Sequence, residues 1–468
     1  MLPRERAVPV STALPRVVRE RAPIVNWAGA AWGLVTLATC LKVIGSPQRQ
    51  HYTFFRTAAL NWWDGVSLYI HEGGLFRYPP VFALVVSPFA VLPQGLGNVL
   101  FVLASMLVWL LGVIALTHGV LPGRWTTERR AALVLLALPG VMRGVWSSQS
   151  HALSAACIFL ALAALSHRRH GVMAVLLALA IHVKLAPVVL AGVLVLTRPR
   201  LAMPIASACL LLGAVPFLTA PPGQVVAEYW AWLRHLTESS SERWPSFRDV
   251  WNLWELSGLP FYLPAYRAIQ VFAGVAVAAL CYQAERRGGC ERRRLTFCAG
   301  LVSCYMLAFG PAVEFNQFVL LSPFLAYWLL ERAASSAHRR FLCVIYVMTL
   351  VIGWGSVERA LIRATGIQFW TGVSTLGVLL FAAWLISRRS EIPPGHAPGF
   401  ERKSFGVGYT SQRSGGMLVR DGAKRRGGWF AREGFRRTKH LQPAGLAEES
   451  AHRIRRTDSV AGRSGDRR

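Results

Sequence analysis

Long apolar segments alternate with short polar segments along most of the chain. Examples of the apolar segments are LVTLATCLKVIG, VLFVLASMLVWLLGVIAL, LSAACIFLALAAL and FWTGVSTLGVLLFAAWLI. Several approach the roughly 20 residues that an α-helix needs to cross a bilayer. Because the bilayer interior offers no partner to an exposed backbone polar group, such segments must be helical. The pattern therefore predicts an all-α polytopic integral membrane protein.

The same pattern predicts about twelve membrane-spanning segments. Three of them are short, which favours tilted, broken or re-entrant helices and leaves ten or eleven spans as the alternative. The proline-bounded segment 79–93 is too short to span and is predicted to lie at the outer interface or to dip into it. The predicted spans are 24–45, 97–118, 131–142, 150–167, 171–183, 186–198, 201–219, 262–284, 295–311, 317–332, 339–356 and 367–387.

Arginine clusters recur after successive pairs of apolar segments. The positive-inside rule places such clusters in the cytoplasm, and this predicts a multi-pass protein of the cell membrane with both termini cytoplasmic. The chain then divides into a basic N-terminus (1–23), a transmembrane domain (24–388) with outer loops at 46–80 and 220–261, and a basic tail (389–468). The tail lacks apolar periodicity, so it is predicted to be disordered.

Composition refines this picture without changing it. Charged residues make up 16% of the chain, against about 25% in a typical soluble domain. The net charge of +28 is concentrated in loops and tail, where topology and anionic lipid explain it without nucleic acid. The eight cysteines include no CxxC pair. We therefore predict no disulfide, no metal site and no cofactor.

Ionisable residues beside apolar segments are the candidates for function, because they are costly at membrane depth. Lys184 lies at a predicted helix break, where it either contacts a phosphate or extends its amine to the outer interface. Glu314 follows a Gly-Pro turn and either forms a structural ion pair or acts on a sugar hydroxyl. Arg143 and Gln149 precede a helix, where they suit an anion or a simple helix cap.

Two aromatic-rich segments belong to the outer side in this topology. One is HYTFFRTAALNWWDGVSLYIHEGGLFRYPP, residues 51–80, which also holds several ionisable side chains. The other is VWNLWEL, preceded by Arg248 and Asp249. Aromatic side chains there favour an interfacial belt, and stacking on a sugar or contact with a lipid chain is the alternative.

The first of these segments, together with the following VFALVVSPFAVLP, resembles the first outer loop of the family-87 glycosyltransferases. These are polyprenol-phosphate-mannose-dependent mannosyltransferase-like proteins of the GT-C superfamily. Weaker matches follow in SSQSHAL, LALAIHVKLAPVVL and FGPAVEFNQFVLLSPFLA, and the resemblance covers about residues 20–385. The positions that fit the first-loop pattern are Phe55, Ala58, Gly65, Leu68, Tyr69, Tyr78, Pro79, Pro80 and Pro93.

This resemblance implies a GT-C-like fold with its active site around the outer first loop. A sugar, with mannose the first candidate, then passes from a polyprenyl-phosphate donor to a glycan or lipid acceptor on the extracytoplasmic side. Many family members have an aspartate at the start of the loop as the base, and His51 stands at that position here. Glu72 and Glu314 are the other candidate catalytic residues, and Asp64 is a lower-ranked candidate base, because it precedes a glycine and can simply cap a turn.

The same resemblance implies a cationic contact to the leaving lipid phosphate. Lys184 is the first candidate, and Arg56, Arg77 and Arg143 are alternatives. Tyr78 and Gln149 complete the predicted substrate-binding set. The alternative functions are a non-catalytic transporter or flippase of lipid-linked sugars and an assembly subunit of cell-envelope glycan synthesis. Transporters often contain repeated halves, and the sequence contains no such repeat.

Overall fold

A computed structural model of the protein describes residues 23–69, 76–238, 246–331 and 335–389. Glu72, the N-terminal residues 1–22 and the tail from 390 onward lie outside them. The described chain forms helices and one isolated β-bridge. The α-helices are α1 (Pro23–Gly45), α2 (Tyr52–Trp63), α3 (Pro80–Ala90), α4 (Gln94–Gly119), α5 (Thr127–Trp146), α6 (His151–Ser166), α7 (His170–Val183), α8 (Val188–Thr197), α9 (Ala202–Ala214), α10 (Pro222–Glu238), α11 (Val250–Leu256), α12 (Leu263–Arg286), α13 (Glu291–Phe309), α14 (Ser322–Leu330), α15 (Ser336–Tyr346), α16 (Gly355–Thr365) and α17 (Val373–Ser387).

The prediction of an all-α polytopic membrane protein is confirmed. By length and apolarity, 5 helical segments among the described residues can cross a bilayer, or 6 if the pair Ser336–Ile352 and Gly355–Thr365, bent by 95°, is one span. This is fewer than the ten to twelve spans predicted. The other predicted spans are short apolar helices such as α6, α7 and α8, or helices with charged first turns such as α5 and α13.

The centre of the fold is α6, in which 13 of the 16 residues are buried. It packs closely along α4. A Cβ atom built on Gly112 of α4 would lie 3.1 Å from the carbonyl oxygen of Ala156 in α6. Gly119 and Ala163 repeat this close approach two turns further on. Such pairing of small residues lets helix backbones approach, as is common in membrane proteins.

The predicted outer loop 46–80 is largely structured where it is described. Its central part is α2, which packs on α3 through an aromatic cluster. The ring of Phe55 lies 5.1 Å from that of Phe82, and Tyr78 stacks on Phe82 at 4.4 Å. In helix α3, 7 of the 11 residues are buried, because the aromatic cluster covers its apolar face. The predicted position of α3 at the membrane interface stays a prediction.

Helix α13 has arginine–glutamate ion pairs at its start, whereas the segment that carries Glu314 follows its end. At its start, Arg198 donates to Glu285 at 3.0 Å and to Glu291 at 2.9 Å, and Arg294 donates to Glu285 at 3.0 Å. At its far end the chain turns into the segment that carries Glu314. The 19 residues of α13 separate these ends by about 28 Å, close to the thickness of a bilayer core.

We predict that Gly112→Leu lowers the free energy of unfolding by about 1–3 kcal/mol, the usual cost of overpacking a core. The added side chain would force α4 away from α6. Thermal unfolding of the detergent-solubilised protein measures the effect. Gly33→Leu in α1 is the matched control, since no heavy atom lies within 4 Å of a Cβ built there. Equal losses in both variants would contradict this account of the helix contact.

Candidate functional site

A cavity of about 420 Å³ opens between five parts of the chain. Its lining comes from the start of α2, the end of α5, the segment before α11, the turn after α13 and the first turn of α16. His51, Arg143, Gln149 and Glu314, four of the predicted site residues, belong to this lining. Residues far apart in sequence therefore meet in one polar cavity.

The break between α5 and α6 presents Gln149 to this cavity. Helix α5 ends in a left-handed turn at Ser148, whose φ is 52°. The Ser148 amide donates to the carbonyl of Val145, and the Gln149 amide donates to that of Gly144, both at 2.9 Å. This is a Schellman cap, in which glycine is the usual left-handed residue. A serine there is a strained choice, of a kind that concentrates at functional sites.

The side chain of Gln149 connects the two candidate bases. Its Nε2 atom lies 2.9 Å from Nε2 of His51 and donates to Oε2 of Glu314 at 3.0 Å. An amide nitrogen carries two hydrogens, so it serves both partners only if both accept. With this orientation, His51 is neutral and carries its ring proton on Nδ1. Its backbone amide also donates to Ser147 at 3.1 Å, which fixes the start of α2 against the end of α5.

Burial lowers the pKa of His51, and the cations Lys184, Arg143 and Lys42 lower that pKa further, while Glu314 raises it. The net direction is downward. The imidazole is therefore neutral at pH 7, in agreement with the hydrogen bond that it accepts from Gln149.

Glu314 has one engaged oxygen and one open oxygen. Its Oε2 atom accepts from Gln149 and from Nδ2 of Asn316, each at 3.0 Å. Among the described residues, no group donates to Oε1, which is open to the cavity. The carboxylate is thus held in place by two amides and keeps lone pairs for a substrate. This is the arrangement that a general base requires.

A buried ion pair supports the backbone of Glu314. Arg248 donates from Nε to Glu358 at 2.9 Å, and the two side chains are 8% and 6% exposed. The backbone amide of Arg248 donates to Val313 at 2.6 Å. Phe247 and Glu314 form the isolated β-bridge. The first turn of α16 is therefore connected through Arg248 to the segment that carries Glu314.

Lys184 lines a second, much smaller cavity of about 30 Å³, together with His151 and mostly apolar side chains. It follows the end of α7, and Pro187 prevents α7 from continuing directly into α8. Its Nζ atom lies 3.0 Å from Nδ1 of His151. Burial lowers the pKa of Lys184 to about 8, and Arg77 adds to this, while Glu314 opposes it. The lysine is therefore a buried cation that is close to losing its proton.

The remaining predicted residues lie outside both cavity linings. Arg56 is on α2, with its Nε atom buried and without a hydrogen-bond partner among the described residues. The carbonyl of Arg77 accepts from Trp232 at 3.3 Å. The hydroxyl of Tyr78 accepts from Ser150 at 3.1 Å, and burial raises the pKa of Tyr78 to about 12. Glu72 is outside the described residues.

A model of glycosyltransferase family 87 matches residues 76–311. The chain belongs to this family. The resemblance noted from the first loop is thus confirmed, and membership makes the protein a membrane glycosyltransferase. No curated protein matches the chain in a sequence comparison.

The family-87 match covers only part of the candidate site. Arg143, Gln149, Lys184 and Arg248 lie within the matched residues. His51 and Glu314 lie outside them, on either side. The roles of His51 and Glu314 therefore rest on the geometry of the cavity.

Sequence reasoning missed several cavity residues of this family-87 protein. Asn316, Glu358 and Arg359 were not predicted as site residues, and Arg248 was noted only beside an aromatic segment. The sequence did contain a signal that Glu358, Arg359 and Arg248 could be functional. Each is an ionisable residue in a segment placed between apolar spans, where charge is costly without a function or a partner.

We predict that Glu358→Gln destabilises the protein by about 3–5 kcal/mol, because it removes one charge of the buried ion pair with Arg248. Thermal unfolding in detergent measures the loss. Glu291→Gln is the control, since Glu291 is 38% exposed and its partner Arg198 also binds Glu285. That variant should cost about 1 kcal/mol or less. A Glu358→Gln protein as stable as the control would show that the pair does not hold this region together.

Proposed function

We propose that the protein transfers a sugar from a polyprenyl-phosphate donor to the hydroxyl group of a glycan or lipid acceptor on the extracytoplasmic side of the cell membrane. Family membership supports the transferase activity. The observation that carries the proposal is the row formed by His51, Gln149 and Glu314 in a cavity with several arginines. Mannose is the sugar that the resemblance of the first loop implies.

In this proposal Glu314 is the general base. The acceptor hydroxyl lies near Oε1, which takes its proton as the oxygen attacks the anomeric carbon. The bond from that carbon to the phosphate oxygen breaks, and its electron pair leaves with the lipid phosphate. The sugar is transferred with inversion. His51 is less suited to this step, because its Nε2 lone pair is engaged by Gln149. We assign it to positioning the acceptor through the neutral ring.

The leaving phosphate gains negative charge during this step, and a positioned cation stabilises it. We assign this role to Lys184. Its small cavity is lined mostly by apolar side chains such as Ile158 and Leu320, so little water can screen the charge of its amine. Arg143, which lies in the larger cavity, is the alternative cation.

The orientation of the site also belongs to this proposal. The cavity and the ion pairs of Arg198 and Arg294 are at opposite ends of α13. If the basic clusters face the cytoplasm, as the positive-inside rule requires, the cavity faces outward. Both termini are then cytoplasmic.

We predict that purified protein in lipid releases polyprenyl phosphate from radiolabelled polyprenyl-phosphate mannose, and that Glu314→Gln lowers this turnover by about 10²–10⁴-fold. A glutamine at position 314 keeps an oxygen that can accept from the amides of Gln149 and Asn316, but it cannot take the proton of the acceptor hydroxyl. His51→Ala should reduce turnover by at least about tenfold, because it removes a group that positions the acceptor.

Asp64→Asn is the matched control for these variants, because Asp64 is an exposed carboxylate outside the cavity lining. It should retain full turnover. Full activity of both Glu314→Gln and His51→Ala in folded protein would contradict the assignment of this cavity as the catalytic site.

We predict that turnover falls as the pH rises above about 8. The pKa of Lys184 is about 8, so its protonated fraction drops from about half at pH 8 to about one tenth at pH 9. Because the charged form is the one required, activity is lost on the alkaline side. Lys184→Arg should remove this alkaline decline, since arginine stays charged. A decline that persists in Lys184→Arg would assign it to another group.

A further inference from the structure

Two arginine side chains border one small space in the larger cavity. A Cβ atom built on Gly355 would lie 3.2 Å from Nη1 of Arg359 and 3.5 Å from Nη2 of Arg143. Only hydrogen occupies that position, so the glycine leaves a hollow between the two guanidinium groups. Both arginines line the cavity that also contains Glu314.

In the part of the chain that the structure describes, no carboxylate bonds directly to either arginine, although Glu314 and Glu358 lie close enough to Arg143 to attract its charge. Glu358 is engaged by Arg248 through both of its oxygens. Glu314 accepts from the amides of Gln149 and Asn316. Neither Arg143 nor Arg359 forms an ion pair or a side-chain hydrogen bond with another described residue. Arg143 and Arg359 repel each other, and an anionic ligand that bonds to both would relieve that repulsion.

The backbone at this position also favours an anion. Gly355 is the first residue of α16, an 11-residue helix. The amide groups of a helix's first turn lack intrahelical partners, and the helix dipole is positive at this end. The hollow is therefore bordered by two guanidinium groups and by the positive end of a helix.

We propose that Arg143 and Arg359 bind an acidic group, a phosphate or a carboxylate, carried by the acceptor. This inference rests on the proposed transferase function. The donor phosphate is assigned to Lys184, and the cavity of Lys184 shares no lining residue with the cavity of the two arginines. Glu314 belongs to the same cavity as the arginines. An acceptor can therefore present its hydroxyl to Glu314 while its acidic group lies between the guanidinium groups.

The side chains present also limit the chemistry of this group. Arginine presents several N–H donors in a planar fork, which fits the paired oxygens of a carboxylate or phosphate. A neutral sugar would need acceptors as well as donors at this position, and of the two carboxylates in the described lining, Glu358 is bonded to Arg248 and the open oxygen of Glu314 is assigned to the reacting hydroxyl. The arrangement selects for negative charge.

The test compares two acceptor probes that differ only in charge, octyl α-mannoside and 8-carboxyoctyl α-mannoside. Binding to the full chain in nanodiscs of uncharged lipid is measured by calorimetry, without donor. We expect the carboxylate probe to bind at least about tenfold more tightly, and Arg143→Gln or Arg359→Gln to remove this preference. Arg363→Gln is the matched control. Arg363 is an exposed residue one turn further along α16 and does not line the cavity.

A second variant keeps both arginines and supplies the anion from within. Gly355→Asp places a carboxylate in the hollow, at a helix N-terminus that favours it. We expect this variant to unfold at a higher temperature than the unsubstituted protein and to lose its preference for the carboxylate probe. A lower unfolding temperature together with an unchanged preference would overturn the proposal.

Other outcomes separate the sources of the anion. Equal affinity for the two mannosides, or no binding of either, overturns the proposal. So does binding of inorganic phosphate that depends on Arg143 and Arg359 while the two mannosides bind equally, since the site then takes a free anion. An increase in KM for the donor alone in the arginine variants assigns the pair to the donor and also overturns it.

The binding test of the acceptor site and the turnover assay of the proposed function can fail independently of each other. A protein that prefers the carboxylate probe but never releases polyprenyl phosphate would refute the transferase activity with this donor. An active enzyme with equal affinity for both probes would refute the inference about the acceptor alone.

Discussion

The amide of Gln149 must donate to His51 and Glu314 at the same time, and this requirement constrains three parts of the chain. Helix α5 has to end before Gln149, which the left-handed turn at Ser148 achieves. Helix α6 has to begin just after it, at His151. His51, which immediately precedes α2, and the turn after α13 then have to approach the same nitrogen atom. The close packing of α4 on α6 holds this break in place.

The distribution of charge around the cavity follows from how each carboxylate is held. Amides engage Glu314, and they satisfy its oxygen without neutralising it. A guanidinium engages Glu358, and that pair is neutral and buried. Glu358 bonds to Arg248 through both carboxylate oxygens, which leaves neither oxygen for Arg143 or Arg359. The ion pair of Arg248 thus explains why the two other arginines remain available.

Features set by local sequence could be predicted, whereas features set by distant partners could not. The predicted spans at 24–45 and 97–118 agree closely with α1 and α4, because an apolar run of bilayer length determines a helix by itself. The break at Lys184 was also predictable, since Pro187 follows it. The partner of Arg248 was not, because it lies 110 residues away. The burial of α3 was missed for the same reason, since α2 and α4 cover it.

The family match and the geometry supply different halves of the candidate site. The matched residues 76–311 include the amide of Gln149 and the cations Arg143, Lys184 and Arg248. The groups that can take a proton, His51 and Glu314, and the carboxylate of Glu358 lie outside that stretch. Each nevertheless contacts a residue within it: Gln149 bonds to the first two, and Arg248 bonds to the third. His51, Glu314 and Glu358 are therefore joined in space to the region that the family model matches, although they lie outside it in sequence.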